Sequence, residues 1–146
     1  MRVLRAFPPN FTHIAKVFPF IRGKQGILYA YGDTLYNPSG VPVTPWIAAH
    51  EAIHMARQKA QGVTDWWGSY LTNPTFRLDE EVLAHRAEWA TFKLTKYSDN
   101  QKARYLTQMA ERLSSPLYGG LVLEHEAMAL ILGGTNARLP SSGPRI

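Results

Sequence analysis

The 146-residue chain has no cysteine, which excludes disulfides and thiolate metal ligands and is compatible with a reducing compartment. It also lacks any stretch approaching the roughly 18 apolar residues of a membrane span. Pro8 and Pro9 interrupt the segment that follows Arg2 and Arg5, so no secretory signal is read, and a cytoplasmic location is expected. Acidic residues are the scarcer sign of charge, 11 against 16 basic, for a net charge of +5. The basic residues never run five together, so the surplus reads as a solvated surface, and nucleic acid is an unlikely partner. No internal repeat is evident. The length is that of one domain able to bury a core without staples.

Against this background one motif stands out, His50-Glu51-Ala52-Ile53-His54. With five His and seven Glu in the chain, chance supplies about 0.008 such patterns. On a helix the two imidazoles lie roughly 40° apart around the axis and about 6 Å apart along it, so both can reach one metal ion. Glu51 lies roughly 100° from His50, beside such an ion, where a carboxylate can take a proton from activated water.

The surrounding residues predict a helix over 45–61. Thr44 suits an N-cap and Pro45 the first helical position, Arg57 and Lys59 fall in the last turn, and Gly62 can close the end. Trp46, Ala49, Ile53, Ala56 and Ala60 recur at helical spacing and are expected to face the core, leaving the histidines at its edge.

A catalytic zinc takes three protein ligands and water, and without cysteine the third must be His, Glu or Asp. A metzincin-type extension is excluded, because its Gly and His positions are Arg57 and Ala60. The segment from Arg77 to Trp89 reads as a second long helix. There Leu83, Ala87, Ala90 and Leu94 are expected to be buried, while Glu81, His85 and Glu88 recur on roughly the opposite side as a polar ridge that could face the histidines. Glu80 reads as a first-turn acid complementing the helix dipole, with Asp79 as cap. Glu81, which shares a face with His85, is the candidate ligand. Asp65 is an alternative without a supporting motif.

His50 to His54 followed by Glu81-Val82-Leu83-Ala84-His85 resembles the gluzincin branch of zinc metallopeptidases, whose third ligand is a Glu on a later helix. The resemblance implies Glu81 rather than Glu80, Zn²⁺ as cofactor, and a peptide or protein as substrate. The stretch from Trp46 to Trp89, with Gln58, Trp67, Tyr70 and Arg77, is similar to small single-domain metallopeptidase-like proteins often encoded by bacteriophages and prophages, and Ser115 to Gly119 fits their layout. This implies virion association and phage structural proteins as candidate partners. The 26 residues between His54 and Glu81 are a longer spacer than in compact thermolysin-like enzymes. The transition-state donor of those enzymes is not marked by a motif here. Tyr70, His85, Tyr97 and His125 are candidates, with His85 first and a hydrogen-bonding role beside the metal as its alternative.

Ile27 to Tyr31 and Thr34 to Tyr36 are short β-prone stretches around Gly32-Asp33, which suggests a small antiparallel sheet. In zincin-like folds such a sheet lies beside the metal helix, and its edge can hold an extended substrate. The aromatic stretch Thr64 to Leu71 reads as a short helix roofing the core, or as a wall of the substrate cleft. Helices are predicted over 99–113 and 121–132. Glu124-His125-Glu126 reads as a polar surface patch, because adjacent helical residues diverge.

The expected architecture is α+β in one domain: a small sheet region over 1–44, a helical zincin-like body over 45–132, and a tail over 133–146. The expected function is peptide hydrolysis with His50, His54 and Glu81 as zinc ligands, Glu51 as general base and His85 as a further catalytic residue. The alternatives are a virion-associated component whose zinc is structural or acts on the cell envelope, and a basic nucleic-acid-binding module.

Overall fold

The computed structural model describes residues 1–133; the expected tail lies, beyond Gly133, outside them. The architecture is α+β. Strands β2 (Tyr29–Tyr31) and β3 (Thr34–Tyr36) form the expected antiparallel hairpin, with Ala30 opposite Leu35. A strand that the sequence reading did not foresee, β1 (Arg2–Leu4), pairs parallel to β3. The sheet is therefore mixed rather than antiparallel throughout, in the order β1-β3-β2, with β2 at an edge. A parallel pair needs a crossover. Helix α1 (Phe11–Val17) and a 3-10 turn (Pro19–Gly23) lie within it and bury Ile14, Ala15 and Ile21.

Helix α2 (Pro45–Gln61) has the predicted limits. The Thr44 side chain accepts from the Ile47 amide at 3.3 Å, Pro45 opens the helix and Gly62 ends it. Its orientation differs from the expected one. The buried residues are His50, Glu51, His54 and Gln58, whereas Ala56 and Ala60 are exposed and Trp46, Ala49 and Ile53 are half-buried. Alanines offer little apolar area to bury, and the polar face instead finds partners on a neighbouring helix and on the sheet.

That neighbour is α4 (Pro74–Phe92), capped by Asn73, whose side chain accepts from the Phe76 amide at 3.2 Å, rather than by Asp79. Its expected apolar side is likewise turned away. Leu83 and Ala87 are half-buried, Ala90 is exposed and Leu94, just past the helix, is 82 % exposed. The face carrying Glu81, His85 and Glu88 is the buried one, flanked by Leu78, Val82 and Phe92. Two helices thus meet across a polar seam in which each charge must find a partner.

Between them α3 (Val63–Thr72) buries Trp66, Trp67 and Tyr70. Helix α5 (Asp99–Leu113) opens on a reciprocal Ser98–Gln101 capping box, and α6 (Glu124–Leu132) begins three residues later than predicted. Two apolar clusters support the seam. Trp66, Trp67 and Tyr70 join Ile14, Phe18, Ile21 and Tyr29 in one. Leu78 and Val82 join Met109, Leu113, Ala127 and Ile131 in the other. Among the described residues no helix is long and apolar enough to cross a membrane.

Candidate metal centre

Glu81 is the meeting point of the seam. Its Oε1 lies 3.4 Å from His50 Nε2 and its Oε2 lies 3.1 Å from His54 Nε2, so one carboxylate faces both imidazoles of α2. The two histidines therefore share one helical face that Glu81 meets from α4, whereas the group of described residues whose ligand atoms all lie within 4.8 Å of one another has His85 in place of His54. His85 adds another imidazole, with Nδ1 at 3.7 Å from Glu81 Oε1. His50, Glu81 and His85 each present a ligand atom within 4.8 Å of the others. His50, His54, Glu81 and His85 are all buried.

The hydrogen bonds orient these rings. His50 Nδ1 donates to Glu88 Oε1 at 2.8 Å, leaving Nε2 aimed at Glu81. This carboxylate-to-imidazole contact is the one that fixes ring and tautomer in metal-binding histidines. Glu88 Oε2 in turn accepts from Tyr105 at 2.5 Å and from Arg112 at 2.6 Å. His85 Nδ1 donates to the Glu81 carbonyl at 2.6 Å, which leaves the Nε2 lone pair free. Tyr70 donates to Glu81 Oε2 at 2.7 Å and so directs the carboxylate.

Charges within the seam respond to both burial and neighbours. Burial alone would lower the His50 pKa, but the carboxylates of Glu81 and Glu88 beside it push it up to about 10. Burial would raise Glu81, yet His54 and His50 hold it well below the carboxylate range. Glu88 is likewise opposed by burial and brought down to about 2 by His50 and Arg112. His85 is lowered to about 3 by burial and by the charges of His50 and Arg112, so its imidazole is neutral. Glu51, with no compensating hydrogen bond, is raised by burial.

A metal ion fits this arrangement on chemical grounds. Glu81 Oε1 and His85 Nε2 are buried without a hydrogen-bond partner, an arrangement that is costly unless another group satisfies them. Two imidazole nitrogens and a carboxylate oxygen form a donor set suited to zinc, and a second open donor is at hand in His85.

The centre borders a cavity of about 600 Å³ whose wall includes His50, Glu51, His54, Glu81, Tyr70 and Tyr118. Phe18, Ile21 and Trp67 give it an apolar side. His85 is not part of this wall and is fully buried, so the expected role of touching substrate is corrected to one beside Glu81 and His50. Tyr97 and His125 are exposed on the surface. Tyr97 packs on Phe92 and Trp46, away from the centre. Asp65 is exposed and takes no part. Glu80 points elsewhere, accepting from Arg57 Nε at 2.7 and 2.8 Å and from Trp66 Nε1 at 3.0 Å. It is a buried fastener between three helices rather than an exposed first-turn acid.

Two contributors, Arg112 and Tyr118, had no role in the sequence reading, and a third had one only in part. Glu88 was legible as part of the ridge but had no visible partner. Arg112 and Tyr118 come from α5 and the 3-10 turn Pro116–Tyr118, and only the tertiary fold brings them to α4. Burial, then Glu81, raises Tyr118 well above the ordinary phenol value, so it remains a hydroxyl donor. Arg77 anchors its turn, donating to the Tyr118 carbonyl at 2.8 Å and to the Tyr70 carbonyl at 2.7 Å. Comparison with protein-family models, curated proteins and solved structures finds no match to this chain.

Proposed function

We propose that this chain is a zinc-dependent peptidase whose metal is held by His50, His54 and Glu81. The observation that carries the reading is the convergence of both imidazoles on Glu81, at 3.4 and 3.1 Å, with Glu51 in the wall of the same cavity. Zinc bound there would make water more acidic and polarise a peptide carbonyl.

The chain supplies the rest. Glu51 accepts the proton of the attacking water and passes it to the leaving amine; its raised pKa suits it to both transfers. Tyr118, still protonated and lining the cavity, donates to the oxygen on which negative charge develops. Tyr70 has its hydroxyl committed to Glu81 and acts by holding that carboxylate in place. Glu88 holds His50. Strand β2 contributes Tyr29 and Ala30 to the cavity wall; the Ala30 carbonyl is already taken by Gln58 and Trp67, so an extended substrate would lie along the segment leading into β2, where Gly26, Ile27 and Leu28 line the same cavity.

The test is cleavage of a mixed peptide substrate by zinc-loaded protein, with Glu51→Gln as control. The variant should keep its metal and lose at least about a hundredfold in turnover. Undiminished cleavage by Glu51→Gln would overturn the role of the carboxylate.

One observation favours a second reading. The free Nε2 of His85 could close the coordination sphere, making the zinc a structural fastener, as in a virion-associated component. A zinc-loaded protein with four protein ligands and no bound water by X-ray absorption spectroscopy would support it.

A further inference from the structure

The first 32 residues contain five basic side chains and no acid. Two of these cations, Arg22 and Lys24, lie beside the large cavity. A second cavity, of about 210 Å³, is lined by Arg22, Lys24, Phe7 and Ser39, and it shares Lys24, Gln25, Ile27 and Tyr29 with the larger one. The two are therefore neighbouring compartments along the segment leading into β2. Arg5 stands close by, its Cζ 2.9 Å from the point where a side chain on Gly40 would begin.

Arg5, Arg22 and Lys24 form no ion pair among the described residues, and all three are exposed. Each holds its charge near aromatic or backbone surface instead. The Arg22 guanidinium lies 6.0 Å from the Phe11 ring centre and the Lys24 ammonium lies 5.9 Å from that of Phe20. No acidic residue is among the described residues that line the smaller cavity. The opposite rim of the large cavity differs, because Glu111 is there and Arg112 already serves Glu88. Among the described lining residues, the uncommitted positive charge of the groove is thus at the β2 end.

We propose that the compartment beside Arg22 and Lys24 is a subsite that accepts the carboxylate side chain of an Asp or Glu in an extended peptide lying along the segment from Lys24 to Tyr29 that both cavities share. The proposal rests on the peptidase reading for what happens to that peptide, but not for its binding. A cavity of this size receives one side chain, with Phe7 covering its stem and the two cations meeting its charge. Arg22 supplies a planar fork suited to a carboxylate and Lys24 a point charge. The pairing is solvent-exposed, so its contribution is modest and falls with salt.

The experiment selects peptides, randomised over six positions, on immobilised zinc-loaded full chain carrying Glu51→Gln, so that retention does not depend on turnover. A second selection uses the same chain with Arg22→Glu and Lys24→Glu added. The expected result is about three- to tenfold enrichment of Asp and Glu at one position, replaced by Lys and Arg at that position in the charge-reversed chain. A gain of the opposite preference cannot come from misfolding. The same preference in both chains, or no charge preference at any position, overturns the proposal. So does a random oligonucleotide that is held more tightly than every selected peptide, since that is the behaviour of a nucleic-acid surface. Failure of the chain with Glu51 intact to cut the selected peptides would count against the peptidase reading alone.

Discussion

Replacing Glu88 by Gln is the substitution that asks most of the seam. Glu88 accepts three hydrogen bonds through its two oxygens, from His50, Tyr105 and Arg112, and it is fully buried. A glutamine keeps the shape but has one acceptor oxygen. If that oxygen faces His50, its amide donor confronts the Arg112 donor; if it faces Arg112, the amide confronts His50 Nδ1–H. Either orientation leaves a buried donor unmet, at a cost of about 1–3 kcal/mol. Loss of such an outer carboxylate typically weakens metal binding by about 10- to 100-fold, or roughly 1.4–2.7 kcal/mol. Urea denaturation of the metal-free chain and competition with a chromophoric chelator should therefore each register a loss of this order for Glu88→Gln. A variant whose zinc affinity stays within about threefold of wild type would refute the claim that Glu88 orients His50 for a metal.

Two further substitutions probe how the site is mounted. Gln58 bridges α2 to the sheet, accepting from the Gly32 amide at 2.7 Å and donating to the Ala30 carbonyl at 2.9 Å. Gln58→Ala should cost about 2–4 kcal/mol in urea denaturation, because the Gly32 amide loses its acceptor and a void is left. A loss below about 0.5 kcal/mol would show that the bridge carries little, as at an ordinary surface site. Gly119 has φ of +103° and its missing Cβ would lie 3.0 Å from Arg77 Nη2, on a guanidinium whose Nε and Nη1 are tied to two carbonyls. Gly119→Ala should lower stability by about 1–3 kcal/mol and shift the Tyr118 turn, reducing turnover while metal content is unchanged; wild-type values for both stability and turnover would contradict this account of the turn.

The limits of α2 were legible because caps are local. Thr44, Pro45 and Gly62 act within one helical turn of the residues they govern. The pairing of the two histidines was legible for the same reason, since His50 and His54 share a face by helix geometry alone. The direction in which that face points was not. An apolar stripe made largely of alanines competes weakly with a polar face whose partners, Glu81 and Glu88 for the histidines and Ala30 and Gly32 for Gln58, lie 26 or more residues away and reach α2 only through the fold. The same logic hid the first crossover. The parallel pairing of Arg2–Leu4 with Thr34–Tyr36 depends on where α1 and the following 3-10 turn pack, and Pro8, Pro9 and Pro19 obscure any periodicity in between. Arg112 and Tyr118 illustrate a further limit, because their residue types suggest nothing until Glu88 and the cavity are beside them.

The central claim is that the seam between α2 and α4 holds one metal ion through His50, His54 and Glu81. The most direct test is elemental analysis of purified wild-type protein beside Glu81→Ala, with circular dichroism to confirm that both are folded. About one zinc per wild-type chain and a marked loss in the variant is the result expected of a three-ligand site. A folded wild type that carries no zinc and takes up none when it is supplied would contradict the account.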